Sequence, residues 1–550
     1  MDVIILTISK EAKELLESYA KEKISPDSES KQESLILNEF SKIFPDIEKT
    51  TRPDRIKLMN LWLDGHVDKY FKKLEEYKQT DWQSSEVYIP VHGLVHLRPE
   101  IKYLLSIPLI RRCNAIKQLS TAYMIYPGAK HTRDEHQLGT LFVMQRFCEH
   151  LIKEKAIHAK DQATLEVAAL IHDVAHPPLG HSLDSIKEFL IPRSPLSSHY
   201  SYEKKIDKTL LEIYLTDEKY QLKGAIESIK VIDTDLLKSM LLDNFENSDK
   251  FPPAYSDMID SEIDADRIDY LLRDGIHTGK KIDFDINLII QSSHFCELKE
   301  GDKKRTSLCF DEKRKRDLTS LLTFRKNMYE EVYENDDKVI LDEVIVHIIY
   351  CTISLYYGLK NDNVTKKFLL LNDCEINDFL GLFSPISIFK QYTSQLYGKP
   401  EYTLIKKYYL NDNNSSDFSR ALKEASSKYS RVFGFDLKFR EERQFSENLK
   451  IMRGEDETHE IPSILFSLPH YIPSQNSDNY EREGKRKRGL KDLVLRDSDG
   501  HCDYFKNLAG ITKEKDLSSN KFLLIGKEEG IEKDYIIEEF EKFMMERHGT

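Results

Sequence analysis

Apolar residues recur at helical spacing through most of the chain, and the exceptions mark its divisions. In residues 1–84, segments such as LLESYAKEK and HVDKYFKKLEEYK carry apolar positions at helical intervals among charges, with SPDSESKQES (25–34) as a loop. Residues 86–97, EVYIPVHGLVHL, alternate with a period of two around His92-Gly93 and predict a short hairpin. Helical patterning then runs almost continuously to about residue 360, punctuated by Pro99, Pro108 and Pro127. Within it, ATLEVAALIHD is almost wholly apolar before it reaches His172-Asp173, the pattern of a helix buried at the centre of a bundle. HTRDEHQLGTLFVMQRFCEHLIKE places His136 at a helix entry, with Leu138, Leu141, Phe142 and Phe147 on its buried face. Beyond 360 the pattern mixes. LNDCEINDFLGLF and FSRALKEASSKYS read as helices, whereas HEIPSILFSLPHY (459–471), LKDLVLRDS (490–498) and NKFLLIGKE (520–528) read as strands. The expected fold is mainly α: a helical bundle with a short N-terminal hairpin and an α+β C-terminal region. The expected domains are a helical appendage at 1–85, a catalytic bundle at 86–360, and a regulatory or oligomer-forming region at 361–550.

Composition narrows the class without changing this picture. The chain has 550 residues, 40% hydrophobic and 32% charged, enough for a large core and two or three domains. Its net charge of −13 argues against a general electrostatic grip on nucleic acid. The polar, basic stretch SQNSDNYEREGKRKRGLK (474–491) is expected to be an exposed loop, with contact to an anionic ligand or nucleic acid as its functional alternative. Seven cysteines occur singly, with no C-x-x-C, so reduced thiols and a cytoplasmic location are expected. The start MDVIILTISKEAKELL is too short and too charged for a signal peptide. The apolar run at 339–357 contains Asp342, Glu343 and His347, and so reads as a buried helix rather than a membrane span.

The chemistry concentrates in two motifs, YPGAKHTRDEHQLGT (126–140) and LEVAALIHDVAHPPLGHSLD (165–184). Imidazole and carboxylate are the usual ligands of divalent transition metals. His172 and Asp173 end an apolar helix, and His176 follows just before the helix-stopping Pro177-Pro178. His172 and Asp173, with His136, make three ligands of a metal site. A fourth ligand is sought in SEIDADRIDYLLRD (261–274), where Asp264, Asp266, Asp269 and Asp274 crowd one turn-and-helix segment. Asp269 is a candidate to cap the helix or to pair with Arg267. Asp184, three residues after His181, is placed to orient a histidine.

The H…HD…D order, together with VYIPVHGLVHLRP (87–99), IPLIRRCNAIKQL (107–119), DADRIDYLLRD and TFRKNMYEEVY (323–333), resembles the HD-domain dNTP triphosphohydrolases. Within them it resembles the branch that in animals carries a sterile-alpha-motif domain, and its bacterial relatives. The resemblance implies an HD helical bundle that hydrolyses dNTPs to deoxynucleoside and inorganic triphosphate. It implies one divalent metal (Fe, Mn, Zn or Mg) held by His136, His172, Asp173 and, through the D-x-D-[KR]-x-D-Y pattern, Asp266. His176 and His181 would face the triphosphate, one of them transferring a proton. A further family His-Glu pair has its nearest counterpart in His199 and Glu203, which are not adjacent here. Arg133, Arg267 and Arg325 stand at phosphate-binding positions, while Lys280 and Lys281 read as solvated. Gln118 and Leu119 match sugar contacts. Tyr270 would crowd the 2′ position, Asp274 would bind the 3′-hydroxyl, and Tyr333 would lie near the base.

The implied partners are a dNTP substrate, a dNTP activator and further copies of the chain in a dimer, tetramer or hexamer, with no membrane. Ser106 and Asn114 replace the charged pair that reads guanine in the animal relatives, so activation specific to GTP is not expected. A role in depleting dNTPs against viral replication would suit this activity. The alternatives are an HD-type nucleotide phosphodiesterase or alarmone hydrolase, and, in another class, a nucleotide-sensing binding module.

Overall fold

The computed structural model describes residues 52–71, 85–186, 190, 206–242, 250–300, 303–356, 367–384, 386–398, 400–409, 417–429, 438–446, 464–467, 493–504, 521–527 and 533–549. The expectations for most of the N-terminal appendage, for His199 and Glu203, and for the basic loop at 474–491 lie outside the described residues.

The fold is mostly helical, with small sheets toward the C-terminus. Helix α1 (Arg52–Val67) precedes the antiparallel hairpin β1 (Glu86–Ile89) and β2 (Gly93–His96), paired from Glu86↔His96 to Ile89↔Gly93. Three helices then build the frame of the site: α2 (Arg133–Lys153), α3 (Gln162–Ile171) and α4 (Ala265–His277). Every residue of α3 from Thr164 to Ile171 is buried, as its unbroken apolar run requires. Helix α2 packs against both α3 and α4. Its face includes Leu138, Leu141 and Phe147 in the core, with Phe142 half-buried against the His92 ring. Gly139 explains how close α2 and α4 come: a Cβ there would overlap the Asp269 carboxylate and the Arg273 guanidinium.

The nearly continuous helix expected up to residue 360 is interrupted. After α4 the chain forms an antiparallel hairpin, β3 (Ser293–Glu300) and β4 (Lys303–Asp311). Its period-two burial, with Cys296 and Leu298 inside and Glu297 outside, is short and flanked by charge, which hid it from a helix-period reading. Helix α5 (Lys315–Met328) ends in a π-helical turn, Tyr329–Tyr333. Helix α6 (Asp336–Tyr356) is the buried apolar run, and among the described residues no helix is long and apolar enough to cross a membrane. Helix α7 (Asp373–Phe383) begins with a capping box at Asn372 and Glu375.

Two sheets complete the molecule. In the first, β4 pairs in parallel with β7 (Val494–Arg496), which pairs with β8 (Cys502–Tyr504). Residues before 360 and after 490 therefore share one sheet. The second has the order β5 (Tyr402–Tyr409), β9 (Lys521–Lys527), β6 (Ile464–Ser467), all antiparallel. Helix α8 (Lys533–His548) packs on it around Phe466, Phe522 and Phe540. The expectation of reduced thiols fails for one pair: Cys296 and Cys309, on adjacent strands, form a disulfide.

Helix α6 is tied to the C-terminal segment by a buried ionic group. His347 Nε2 lies 2.7 Å from Glu442 Oε2, its Nδ1 lies 2.8 Å from the Glu343 carbonyl, and the Lys438 ammonium pairs with Glu343. The remaining Glu442 oxygen accepts from Phe466 N–H at 2.6 Å.

Candidate active site

The structure brings together the four residues named as ligands. His136 lies in the first turn of α2, His172 caps the C-terminus of α3, Asp173 follows it, and Asp266 lies in the first turn of α4. Asp266 Oδ1 is 3.1 Å from His136 Nε2 and 3.4 Å from His172 Nε2. The Asp173 carboxylate lies 3.5 Å from each of the same nitrogens. Donors about 2.1 Å from a single ion lie about 3.0–3.4 Å apart in octahedral or tetrahedral shells, so these spacings match a common centre. Both Nε2 atoms are buried and make no hydrogen bond among the described residues. Two buried, converging, unpaired imidazole nitrogens are costly unless something occupies the point they face. The donor set therefore fits a divalent metal, and the residues present can hold one.

The electrostatics point the same way. Burial by itself would lower the His136 pKa, but the carboxylates of Asp266 and Asp269 more than offset it and hold the ring at about 10. His172 is likewise raised, with Asp173 and Asp266 overcoming burial. The cluster is thus rich in negative charge and takes up a cation, whether proton or metal.

The other acids of the segment separate into distinct tasks. Asp264 is the N-cap of α4. It accepts from Arg267 N–H at 2.7 Å with one oxygen, and from Ser261 N–H and Arg267 Nη1, each at 2.7 Å, with the other. Burial pushes its carboxyl up to about 7 against the pull of Arg267. Asp269 does not pair with Arg267. Its oxygens lie 2.8 Å from His136 Nδ1 and 2.6 Å from His92 Nε2, and Arg273 bridges both at 3.1 and 2.9 Å. Asp269 thereby holds the proton on His136 Nδ1 and leaves Nε2 bare for a ligand role. His172 is fixed likewise, its Nδ1 donating to the Ala169 carbonyl at 2.8 Å.

Beside the donor set, His176 and His181 face each other with their Nε2 atoms 3.2 Å apart. His181 Nδ1 lies 3.0 Å from Asp184 Oδ2, and His176 Nδ1 lies 3.2 Å from the Asp173 carbonyl. Both acceptors call for a proton on the adjacent Nδ1, and the Nε2–Nε2 contact calls for one more. A proton on one of the facing Nε2 atoms can be passed to the other. The loop that presents His181 turns through left-handed backbone at Leu179 (φ 59°) and Gly180 (φ 53°). A Cβ on Gly180 would come 2.9 Å from Arg133 Nη2. The strained Leu179 is held by its N–H donating to Asp373 Oδ1 at 2.8 Å, while Asp373 Oδ2 accepts from Lys117 N–H at 2.8 Å.

The three arginines are buried and paired with acids. Arg133 Nη1 donates to Asp173 Oδ2 at 2.7 Å, Arg267 pairs with Asp264, and Arg325 Nη1 donates to Glu262 Oε2 at 2.8 Å. Lys280 pairs with Glu331. The Tyr270 ring lies 6.4 Å from His136 and 6.3 Å from Tyr333, so these aromatics adjoin the donor set. Burial raises the Tyr270 and Tyr333 hydroxyls far above their usual range, so both remain neutral donors. Tyr333 O–H, placed by the π-helical turn, donates to Asp274 Oδ2 at 2.8 Å. Gln118 is half-buried and Leu119 buried on the neighbouring segment.

Sequence reasoning missed His92, His131, Asp342 and Asp373. His92 stood in a motif read as a hairpin and as part of the family resemblance, with no role given to its ring. Asp342, on α6, accepts from Thr121 Oγ1 at 2.6 Å and Lys338 Nζ at 2.6 Å, and so braces the segment after Gln118. An acid inside an apolar helical run was the available signal.

Residues 133–274 match the HD domain family. The chain is 24% identical over 291 residues to deoxynucleoside triphosphate triphosphohydrolase SAMHD1 of Danio rerio, covering 50% of this chain and 46% of that protein. It is 24% identical over 277 residues to the protein of that name from Homo sapiens, covering 46% and 42%. It is also 24% identical over 490 residues to an uncharacterized protein of Methanocaldococcus jannaschii, covering 82% and 93%. The chain thus resembles the HD-domain dNTP triphosphohydrolases, and it spans less than half the length of the animal relatives.

Proposed function

We propose that this HD hydrolase cleaves deoxynucleoside triphosphates to deoxynucleoside and inorganic triphosphate. The observation that carries the reading is the contiguity of three groups: two unpaired imidazole nitrogens facing two carboxylates, the His176–His181 pair next to Asp173, and the Tyr270–Tyr333–Asp274 cluster next to His136. His136, His172, Asp173 and Asp266 hold one divalent cation. Their mixed nitrogen and oxygen donors suit Fe, Mn or Zn better than Mg. Such a cation supplies Lewis acidity, making water a stronger nucleophile and offsetting phosphoryl charge.

The remaining work falls to the chain's own groups. Arg133, Arg267 and Arg325 provide fixed positive charge for the triphosphate, using donors beyond those engaged with their acids. Water oxygen bonds to the α-phosphorus as the bond from that phosphorus to the 5′-oxygen breaks. The His176–His181 pair delivers a proton to the departing 5′-oxygen, with Asp184 holding His181 in register. Tyr270 closes off the 2′ position, Asp274 accepts from the 3′-hydroxyl, Gln118 and Leu119 flank the sugar, and Tyr333 lies near the base while holding Asp274. Residues 361–550 serve assembly, and the assembled chain responds to a dNTP without a special role for GTP, because Ser106 and Asn114 are uncharged.

Purified protein incubated with each dNTP, singly and mixed, with Mn or Mg, tests the reading by chromatography of the products. Intact triphosphate is expected. Monophosphate with pyrophosphate, or turnover only of a cyclic nucleotide or an alarmone, would overturn it.

A further inference from the structure

His131 belongs to none of the groups described so far, yet it touches two of them. It lies just before α2, its ring buried to 2% exposure. Its Nε2 is 2.8 Å from Asp274 Oδ1. An ionised carboxylate only accepts, so this nitrogen carries the proton. Its carbonyl oxygen accepts from Gln118 N–H at 3.0 Å, beside an isolated β-bridge between Lys117 and Thr132. One residue therefore fixes the backbone that carries Gln118 and the side chain of Asp274.

The ring itself has little freedom. It stacks on His277 at 4.3 Å between centroids and 24° between planes. His277 lies one turn beyond Asp274 on α4 and is held by its Nδ1 donating to the Gly128 carbonyl at 3.0 Å. On the opposite flank, Tyr333 O–H donates to the other Asp274 oxygen. Asp274 is pinned through both oxygens by donors from two separate parts of the chain, and each oxygen keeps a lone pair for a further donor. A carboxylate held this way has a fixed direction of acceptance, which is what selection of one hydroxyl requires.

We propose that His131 is a positioning residue for sugar recognition: its imidazole aims Asp274 at the 3′-hydroxyl of the substrate while its carbonyl sets Gln118 against the same sugar. This rests on the dNTP hydrolase reading above. His131 touches neither the metal donors nor the proton-transferring pair, so its loss acts on substrate selection rather than on metal binding.

The experiment compares kcat/KM for a dNTP and its 2′,3′-dideoxy analogue in wild type, His131→Ala, His131→Gln and His131→Asn, with metal content and melting temperature measured alongside. In His131→Ala the preference for the 3′-hydroxyl falls about tenfold, as expected for losing one hydrogen bond to a charged group, mainly through KM. Metal content stays at the wild-type level. His131→Gln, whose amide nitrogen replaces Nε2, recovers most of the preference, whereas the shorter His131→Asn does not. A wild-type ratio in a folded His131→Ala, or equal ratios in the Gln and Asn variants, overturns the inference alone. Wild-type protein that turns over no dNTP overturns the functional reading and this inference with it.

Discussion

Two buried groups in this chain have nearly the same composition and different character. One is His136, His172, Asp173 and Asp266; the other is Glu343, His347 and Glu442 with Lys438. Each sets imidazole against carboxylates away from solvent. In the second, both ring nitrogens of His347 meet oxygens, and an ammonium already balances the acids. In the first, the Nε2 atoms of His136 and His172 are buried without a hydrogen bond among the described residues. Residue type and spacing do not distinguish a metal centre from an ionic clasp; the hydrogen-bond account of each nitrogen does.

This comparison can be broken most directly at the ligands. His172→Ala or Asp173→Ala should remove the bound metal and lower turnover by more than about a thousandfold, comparable to losing a central catalytic group. Circular dichroism should still show a folded helical protein. Full turnover in a metal-free variant would refute the assignment. At the clasp, Glu442→Gln should leave metal content near one ion per chain and cost about 3 kcal/mol in denaturant unfolding, because His347 and Lys438 lose a buried counter-charge. A fall in metal content in this variant would show that the two groups had been told apart wrongly.

A subtler change sharpens the first group. Asp269→Asn keeps a polar contact to His136 but removes the charge that fixes its proton. Metal affinity should drop about 10- to 100-fold in a chelator competition, with activity recovered at saturating metal.

A further effect concerns pH in metal-stripped protein. Burial lowers the His136 pKa, and the carboxylates of Asp266 and Asp269 overcome this and raise it to about 10 from its ordinary 6.5. A raised pKa stabilises the folded state fully below the unfolded value and is lost as pH rises through the folded one. Stripped protein should therefore lose stability between pH 6.5 and 10, and metal-loaded protein should show a shallower loss over the same window. Identical slopes would mean that proton and metal do not compete at this point.

Much of this arrangement was legible in the sequence, for identifiable reasons. The apolar run of α3 had to be central, and its end had to present His172 and Asp173 together. The choice between Asp264 and Asp266 was open from spacing, because only the helix start decides it. As N-cap, Asp264 turns back onto Arg267 N–H, whereas Asp266, inside the first turn, faces the imidazoles. Of the two candidate roles for Asp269, capping the helix or pairing with Arg267, the pairing is absent because residues two apart on a helix do not face each other, while Arg273, four on, does. The β3–β4 hairpin was hidden by its charges. His131 lay inside the motif at 126–140 but no role was read for it, and its importance comes from two contacts brought together by the fold.

The parallel pairing of β4 with β7 also sets an order of assembly. Phe310 is matched with Leu495, roughly 185 residues later. At about 5–20 residues per second of synthesis, roughly 10–40 seconds separate the emergence of the two strands. The helices carrying His136, His172 and Asp266 are complete by residue 277, so the metal centre can be gathered while β4 still lacks this neighbour. A strand left open for that long is a template for pairing with another nascent chain. Only Phe310 and Asp311 are registered against β7, so the open template is short, and Lys313 beside it pairs with Asp311.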